Sequence, residues 1–275
     1  MGKTMKAPIL VSIPHGGWKV ADEIKDIWAL SKKDAFHDGD PFTSKIYDYS
    51  ERVVFQIVME YYRAVIDLNR QPDDIAPENP DGVIKSHTCW NVPVYKQESL
   101  PDATLTKILL EQYYYPYHKQ MEEQIKNPDI KLAVDCHSMA AKSPPIEADA
   151  GAVRPLICLG NLGDENGEIE PVFNRVTCDP ELIRFMANEF RIVFQHEDLE
   201  VAPPAIATVN VPFNGGNITR RYGGRGTPFV QIEMSRALYL TEEYFDEKNL
   251  KVKESRIKDL NEKVWTVLSN TANNL

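Results

Sequence analysis

The apolar residues of the chain fall into short runs that are separated by longer helical stretches. Several of the short runs are continuous rather than alternating, which favours strands that are buried on both faces of a sheet. The predicted strands are Ile9–Pro14, Val53–Met59, Ala64–Leu68, Leu132–Cys136, Pro155–Leu159 and Phe229–Ile232.

Helical patterns occupy the intervals between the predicted strands, and the two nearest the C-terminus are amphipathic. Strands that alternate with helices are typical of a mostly parallel sheet between two helical layers. The pattern predicts an α/β fold with three αβα layers and a mostly parallel or mixed central sheet. No linker or repeat interrupts it, so residues 1–275 are expected to form a single domain. The predicted helices are Pro41–Ser50, Asp102–Lys126, Pro180–Phe190 and Glu242–Asn270.

Three long loops lie between these elements and are rich in Pro, Gly, Asn and Asp. They cover Gln71–Tyr95, Ser143–Arg154 and Ala202–Thr227. Long loops in a compact domain are usually functional, so these segments are candidate walls of a binding site.

The charge of the chain and the length of its apolar runs argue against nucleic acids and membranes as partners. The 275 residues include 31 Lys and Arg against 41 Asp and Glu, a net charge of −10, and no long basic run. This argues against a nucleic-acid or anionic-membrane surface. No run approaches the roughly 18 apolar residues of a membrane span, and the first ten residues do not resemble a secretory signal. We therefore expect a cytoplasmic protein.

Polar residues that suit catalysis stand where the predicted strands end. In open α/β sheets, ligands bind beyond the carboxyl ends of the strands. The residues delivered there are His15, Asp67, Asn69, Arg70, Asp135, His137 and Ser138, and the last strand carries Glu233 and Arg236.

Imidazole and carboxylate groups together suit zinc, which takes three protein ligands in a typical catalytic site. His15 and His137 supply two ligands, and the third would come from "HDGDPFT", through Asp38 or Asp40, with His37 as a competitor. Spacing alone does not choose between them. The alternative is that both strand-end histidines are simply hydrogen-bonded within the core. A phosphate site is disfavoured, because "HGGWKV" matches neither GxGxxG nor GxxxxGK[ST].

Seven segments, in order, resemble motifs of the N-formylglutamate amidohydrolase family. They are "SIPHGG", "GDPFTSKIYD", "DLNRQPDD", "YYYPYH", "DCHSM", "NVPFNGG" and "QIEMSRALY", from about Val11 to Tyr239. The resemblance implies a zinc-dependent hydrolase of N-acyl amino acids, with N-formyl-L-glutamate as the favoured small-molecule substrate. It also implies a phosphorylase/hydrolase-like fold related to zinc exopeptidases and aspartoacylase.

The resemblance also implies roles for individual residues. Asp40 becomes the favoured third metal ligand beside His15 and His137, with Asp38 as the fallback. Asn69 and Arg70 are expected to hold a substrate carboxylate, since arginine pairs bidentately with that group. Glu233 is expected to be the general base.

Further roles are implied around this centre. Asp135 would orient His137 from behind, and His118 would support the site from the long helix. Asn210, Arg220 and Arg236 would contact substrate, Asn210 and Arg220 from the "NVPFNGGNITRRYG" loop. Gly16 and Gly17 would keep the first turn low, so that substrate reaches the metal.

Several alternatives stay open. In one alternative, Arg70 pairs only with Asp73 or Asp74, and Glu233 only with Arg236. The family usually has a basic residue where this chain has Asn214, and that difference leaves room for another N-acyl amino acid or a small peptide as substrate. A non-catalytic protein that binds the ligand without turnover is a separate alternative. Cobalt, manganese and iron accept ligands similar to those of zinc. The sequence carries no signal for the oligomeric state.

Overall fold

A mixed sheet forms the centre of the protein in the computed structural model, which describes residues 5–76, 78–96, 99–199 and 202–275. Its strand order is β2-β1-β3-β6-β4-β5. Strands β2, β1, β3 and β6 are parallel, whereas β4 is antiparallel to β6 and parallel to β5. The predicted mostly parallel or mixed sheet is confirmed. The strands are β1 (Ala7–Ile13), β2 (Val53–Val58), β3 (Leu132–Met139), β4 (Ile157–Gly160), β5 (Ala207–Val209) and β6 (Phe229–Ser235), with a small hairpin of β7 (Phe245–Asp246) and β8 (Lys251–Val252) outside the sheet.

Helices cover both faces of the sheet, which confirms the three predicted layers. The core on one face includes α5 and α7, and the core on the other includes residues of α3, α4 and α6. None of the helices in the described ranges is long and apolar enough to span a bilayer. The helices are α1 (Lys32–Asp38), α2 (Thr43–Ile46), α3 (Ala103–Leu109), α4 (Tyr115–Gln124), α5 (Pro180–Phe194), α6 (Asn217–Tyr222) and α7 (Glu254–Asn273).

Strand β3 shows how the sequence pattern places the site. All eight of its residues are buried. Leu132, Val134 and Cys136 face the core that contains α5 and α7, whereas Ala133 faces the opposite core. Because side chains alternate along a strand, Asp135 lies on the same face as Ala133. The polar end of this strand therefore opens on the face opposite α5 and α7.

The predicted strand Ala64–Leu68 is wrong. Its apolar side chains are buried, but the backbone turns, and the Val65 N–H donates to the Tyr62 carbonyl at 2.9 Å. The Asp67 N–H donates to the Val83 carbonyl, also at 2.9 Å. The apolar side chains of Ala64–Leu68 suit a buried position, but a buried turn and a buried strand have the same apolar composition.

The predicted helix over Asp102–Lys126 is interrupted. A π-helical turn, Leu110–Tyr114, separates α3 from α4, and the Tyr115 N–H donates to the Leu110 carbonyl. The wide turn precedes Pro116, which has no N–H and whose ring would clash with the carbonyl four residues earlier in a regular α-helix.

Other element boundaries also differ from the prediction. Only Thr43–Ile46 of the segment 41–50 is α-helical, and the C-terminal helix begins at Glu254 because β7 and β8 precede it. The predicted loop Ala202–Thr227 contains β5 and α6. Helix α1 has no counterpart among the predicted helices.

Gly17 fits the fold only without a side chain. A Cβ there would lie 2.2 Å from the Glu60 carbonyl carbon and 2.3 Å from the Tyr61 oxygen. The glycine packs the turn after β1 against the chain after β2, and Gly16 packs against α2. Neither glycine lines the main cavity, so the structure does not support the expectation that they open a path for substrate.

We expect Gly17→Ala to lower the free energy of unfolding by about 2 kcal/mol or more, as overpacking against backbone does. Urea denaturation measures this change. Gly39→Ala is the matched control, because its new Cβ would lie 3.5 Å from the nearest atom, an ordinary contact. A loss for Gly17→Ala no larger than that of the control would contradict the packing argument.

Candidate metal centre and substrate cavity

Three buried side chains converge at the carboxyl ends of β1 and β3. His15 follows β1, His137 lies in β3, and Asp40 follows α1. The Oδ2 atom of Asp40 is 3.3 Å from Nδ1 of His15 and 3.1 Å from Nδ1 of His137. One ligand atom from each residue lies within 4.8 Å of the others. The structure therefore brings together two imidazole nitrogens and a carboxylate oxygen around one point.

A second carboxylate supports each imidazole from behind. The Nε2 atom of His15 is 2.8 Å from Oδ1 of Asp67, and Nε2 of His137 is 2.9 Å from Oδ2 of Asp135. Such carboxylate partners fix the tautomer and orientation of metal-binding histidines. Asp135 makes the contact that the resemblance implies. Asp67 makes the equivalent contact with His15, a role that was not predicted for it from the sequence. The sequence feature that could have indicated this role is the position of Asp67 at the end of an apolar run.

The number of N–H protons on His15 and His137 indicates that a cation would fit between the three side chains. A neutral imidazole has one N–H, yet both ring nitrogens of His15 and of His137 face carboxylate oxygens. A cation that accepts both Nδ1 lone pairs and the Asp40 carboxylate removes this conflict. The donor set of two imidazoles and one carboxylate suits zinc and related transition ions. The residues present therefore fit a divalent metal.

The electrostatics of Asp40 agree with this arrangement. Burial alone would raise the pKa of its carboxyl, but hydrogen bonds with His137 and His15 hold that pKa well below its usual range. Burial alone would lower the pKa of His137, but the neighbouring Asp135 carboxylate raises it well above its usual value. Without a metal, a second proton on the ring would therefore be donated to Asp40 and would occupy the position of the cation. Asp40 is therefore ionised over the whole physiological pH range, as a metal ligand must be.

The competing candidate ligands lie outside the cluster of His15, Asp40 and His137, although Asp38 also lines the cavity and its buried Oδ2 atom has no hydrogen-bond partner. The Oδ1 atom of Asp38 accepts hydrogen bonds from Lys85 Nζ at 3.3 Å and from the Cys89 N–H at 3.1 Å. His37 is 31% exposed, and its Nε2 lies 3.9 Å from Glu247. The geometry thus favours Asp40 over Asp38.

Arg236 holds the loop that presents Asp40. Its guanidinium donates to the carbonyls of His37 and Gly39, to both the hydroxyl and carbonyl oxygens of Ser138, and to Asp40 Oδ1 at 3.3 Å. Arg236 lines the cavity, but all three of its guanidinium nitrogens already donate to protein oxygens. The geometry supports a positioning role for Arg236 rather than the predicted contact with substrate. It also excludes a simple Glu233–Arg236 pair, since the carboxylate partner of Arg236 is Asp40.

Glu233 lies beside the metal ligands on the neighbouring strand. It is in register with His137 across the β3–β6 pair, and its Oε1 accepts a hydrogen bond from Gln231 Nε2 at 3.0 Å. Burial raises the pKa of Glu233 to about 7, helped by the nearby Asp40 charge and opposed by His137. A carboxyl group with such a pKa can both take and return a proton near neutral pH.

His15, Asp40 and His137 face a cavity of about 300 Å³. Asn69, Arg70 and Arg220 line one part of it. The Asn69 Oδ1 accepts the Ile218 N–H at 2.8 Å, which ties this part to α6. Burial lowers the pKa of Arg220, and the positive charge of Arg70 lowers it further. This part of the cavity thus contains two guanidinium groups, Arg70 and Arg220, whose positive charges repel each other, an arrangement that favours an anionic ligand.

The acidic partner of Arg70 differs from both expected alternatives. Its NH2 donates to Asp81 Oδ2 at 2.7 Å and its Nε to the Asp81 carbonyl at 2.9 Å, rather than to Asp73 or Asp74. The Arg70 side chain is still 29% exposed and faces the cavity.

Besides Asp135, which lies behind His137, two predicted site residues lie outside the cavity lining. The Asn210 side chain bonds to Asn161 and to the Asp164 carbonyl, so its position does not support the predicted contact with substrate. His118 donates from Nε2 to the Leu68 carbonyl at 3.0 Å, between Asp67 and Asn69. That contact agrees with a supporting role from α4.

Two further arginines line the cavity, although neither follows a predicted strand. Arg63 Nε donates to Asp67 Oδ2 at 2.7 Å and so fixes the carboxylate behind His15. Arg154 is the last residue of the predicted loop Ser143–Arg154. The sequence feature that could have indicated a role for it is its position directly before the predicted strand Pro155–Leu159.

The chain is similar to bacterial amidohydrolases over most of its length. It is 27% identical to N-formylglutamate deformylase of Pseudomonas putida over 247 residues, which cover 86% of this chain and 83% of that protein. It is 26% identical to the Pseudomonas aeruginosa enzyme of the same name, over 88% of this chain and 85% of that protein.

Solved structures show the same fold. The crystal structure of N-formylglutamate amidohydrolase from Ralstonia eutropha JMP134 superposes with a TM-score of 0.74 at 18% identity, covering 100% of this chain and 97% of that chain. A gene product of Agrobacterium tumefaciens superposes with a TM-score of 0.62 at 17% identity, covering 96% and 92%. The sequence model of one family, N-formylglutamate amidohydrolase, matches residues 7–240. The chain therefore belongs to the N-formylglutamate amidohydrolase family.

Proposed function

We propose that this protein hydrolyses the amide bond of N-formyl-L-glutamate to give formate and L-glutamate, with a divalent metal at His15, Asp40 and His137. The observation that carries the proposal is the convergence of these three ligand atoms within 4.8 Å, beside Glu233 on the adjacent strand. Family membership and the names of the Pseudomonas relatives support the choice of substrate.

The metal supplies electrophilic assistance. A divalent ion such as zinc, held by the two Nδ1 atoms and the Asp40 carboxylate, would polarise the formyl carbonyl and lower the pKa of the attacking water. Zinc is the proposed ion, and cobalt, manganese or iron would bind the same donors.

Glu233 carries the proton. Its carboxylate takes a proton from the water as the water oxygen bonds to the formyl carbon. It then returns that proton to the amide nitrogen as the carbon–nitrogen bond breaks, which leaves formate and the free amine of glutamate. The hydrogen bond from Gln231 fixes the Oε1 atom, and the Oε2 atom, which has no such partner in the described ranges, would accept the proton.

Asn69, Arg70 and Arg220 bind a carboxylate of the substrate. Arg70 and Arg220 supply the charge, and Asn69 adds a neutral donor beside them. A bound carboxylate relieves the repulsion between the two guanidinium groups. Binding there fixes the distance from the carboxylate to the formyl carbon, and that sets the register for attack.

The remaining proposals follow from the sequence. They are a single amidohydrolase domain over residues 1–275, a cytoplasmic location, and a small molecule rather than a nucleic acid or membrane as partner.

The experiment is a substrate panel with purified, zinc-loaded protein. N-formyl-L-glutamate is compared with N-acetyl- and N-succinyl-L-glutamate, and both formate and glutamate are quantified. We expect the formyl substrate to have the highest kcat/KM, by about tenfold or more, since one extra methylene in a tight pocket changes rates on that scale. Preference for a larger acyl group would redefine the substrate. Absence of all turnover, despite bound metal and measurable ligand binding, would indicate a non-catalytic relative.

A further inference from the structure

Arg154 is a buried cation in the wall of the cavity. Arg154 is 5% exposed, and its guanidinium carbon lies 4.7 Å from the centroid of the Phe213 ring. Phe213 and its neighbour Asn214 line the same cavity. The stacking holds the guanidinium plane against an aromatic face and leaves its edge available for hydrogen bonding.

The hydrogen bonds of this guanidinium are incomplete. Its NH2 donates to the Ser143 hydroxyl at 3.0 Å, but its buried Nε has no partner. No carboxylate in the described ranges forms an ion pair with it. The Ser143 hydroxyl donates in turn to the Asp149 carboxylate. Asp149 is exposed, so water and salt screen the attraction between its charge and that of Arg154.

A buried cation without an anion is costly. Removing a charge from water costs several kcal/mol unless an opposite charge and good hydrogen bonds compensate it. A charged group in the wall of a cleft is a candidate for contact with a ligand of opposite charge. The Nε atom is closed to solvent, but the Nη1 group of Arg154 is not fully buried and has no hydrogen-bond partner in the described ranges. Its place in the wall of the cavity therefore points to an anionic group of the substrate.

The topology separates Arg154 from the first cationic position. Arg154 lies three residues before Ile157, the first residue of β4. Since β4 runs antiparallel to β6, this end of β4 lies at the same sheet edge as the carboxyl ends of β3 and β6. Asn69 and Arg70 follow Asp67, which contacts His15 at the end of β1. In the order β2-β1-β3-β6-β4, the strands that carry His137 and Glu233 stand between the two.

We propose that Arg154 binds the side-chain carboxylate of the substrate and thereby selects N-acyl derivatives of acidic amino acids. The inference rests on the proposed function. Asn69, Arg70 and Arg220 then hold the carboxylate that every N-acyl amino acid has, and Arg154 holds the one that distinguishes glutamate from glutamine.

The test is a ratio measured on one enzyme preparation. N-formyl-L-glutamate and N-formyl-L-glutamine have nearly the same shape and differ in the charge that Arg154 would bind. We expect Arg154→Met to lower the ratio of their kcat/KM values by about 100-fold, the scale for losing one partner of a buried charge pair. Arg154→Lys keeps the charge without the planar fork, so its loss should be smaller. The fraction of folded enzyme cancels in the ratio.

Arg70→Met is the matched control. It removes a cation from the same cavity but should lower kcat/KM for both substrates alike, because both carry the carboxylate assigned to Arg70. An Arg154→Met variant that behaves in this way, or that leaves the ratio unchanged, would overturn the proposal and leave Arg154 as a support for its loop.

A binding measurement distinguishes this inference from the proposed function. Calorimetry with L-glutamate and L-glutamine needs no turnover. If the wild-type protein hydrolyses no N-formyl amino acid, the proposed function fails, and a loss of glutamate over glutamine preference in Arg154→Met still supports the anion site. Equal affinities for the two amino acids in the wild type would reject it.

Discussion

Replacing Glu233 by Gln is expected to lower kcat for N-formyl-L-glutamate by about 100- to 10,000-fold, the contribution typical of a general acid–base group. The carboxamide keeps the shape of the side chain and an oxygen for the hydrogen bond from Gln231. It cannot take the proton from the attacking water. Steady-state kinetics, together with metal analysis of the same sample, measure the effect, and KM and metal content should change little.

A Glu→Gln change at Glu147 is the control, since Glu147 is an exposed carboxylate that also borders the cavity. Its kcat should stay within about threefold of the wild-type value, as expected for a surface group away from the chemistry. Comparable losses in the two variants would point to the overall charge of the cavity instead of a proton-transfer role for Glu233.

Removing the metal is expected to reduce activity to below about 1% of the starting value, since the Lewis acid supplies several kcal/mol of transition-state stabilisation. Chelation followed by one equivalent of zinc per chain should restore activity. The melting temperature should fall on chelation and recover with zinc, because an ion that binds only the folded state stabilises it. His137→Ala should show the loss of metal and activity without chelation, whereas His196→Ala, on the surface, should show neither.

Full hydrolytic activity in protein shown to be free of metal would refute the metal-dependent mechanism. Persistence of bound zinc in His137→Ala, with activity lost, would instead assign His137 to another step.

The two histidine ligands of the candidate metal centre were predictable because local sequence patterns place them. His15 and His137 each stand at the end of a buried strand, and parallel strands present their carboxyl ends at one edge. The choice of Asp40 over Asp38 was different in kind. It depends on how a loop after α1 folds back over the sheet, and only the resemblance to a family indicated it.

The features that escaped prediction depend on contacts between distant segments. Ala64–Leu68 has the composition of a strand but is enclosed by residues far away in the sequence, so its turn has no local signal. Arg154 was missed for a topological reason. It precedes its strand instead of following it, and it reaches the site only because β4 runs against its neighbours.

The π-helical turn before α4 determines what a change in chain length would cost. Tyr114, at its end, donates through its hydroxyl to the Arg70 carbonyl at 2.8 Å, and the Tyr117 hydroxyl lies 2.8 Å from Ser12 Oγ, which donates to Asp135. A π-turn holds one residue more than an α-helical turn, so deleting one residue from Leu110–Tyr114 would leave the side chains of α4 in nearly their present orientation. The same deletion inside α4 would rotate every later residue of that helix by about 100°. A deletion in the π-turn should therefore cost stability mainly through Pro116, whose ring would meet a backbone carbonyl in the restored α-helix.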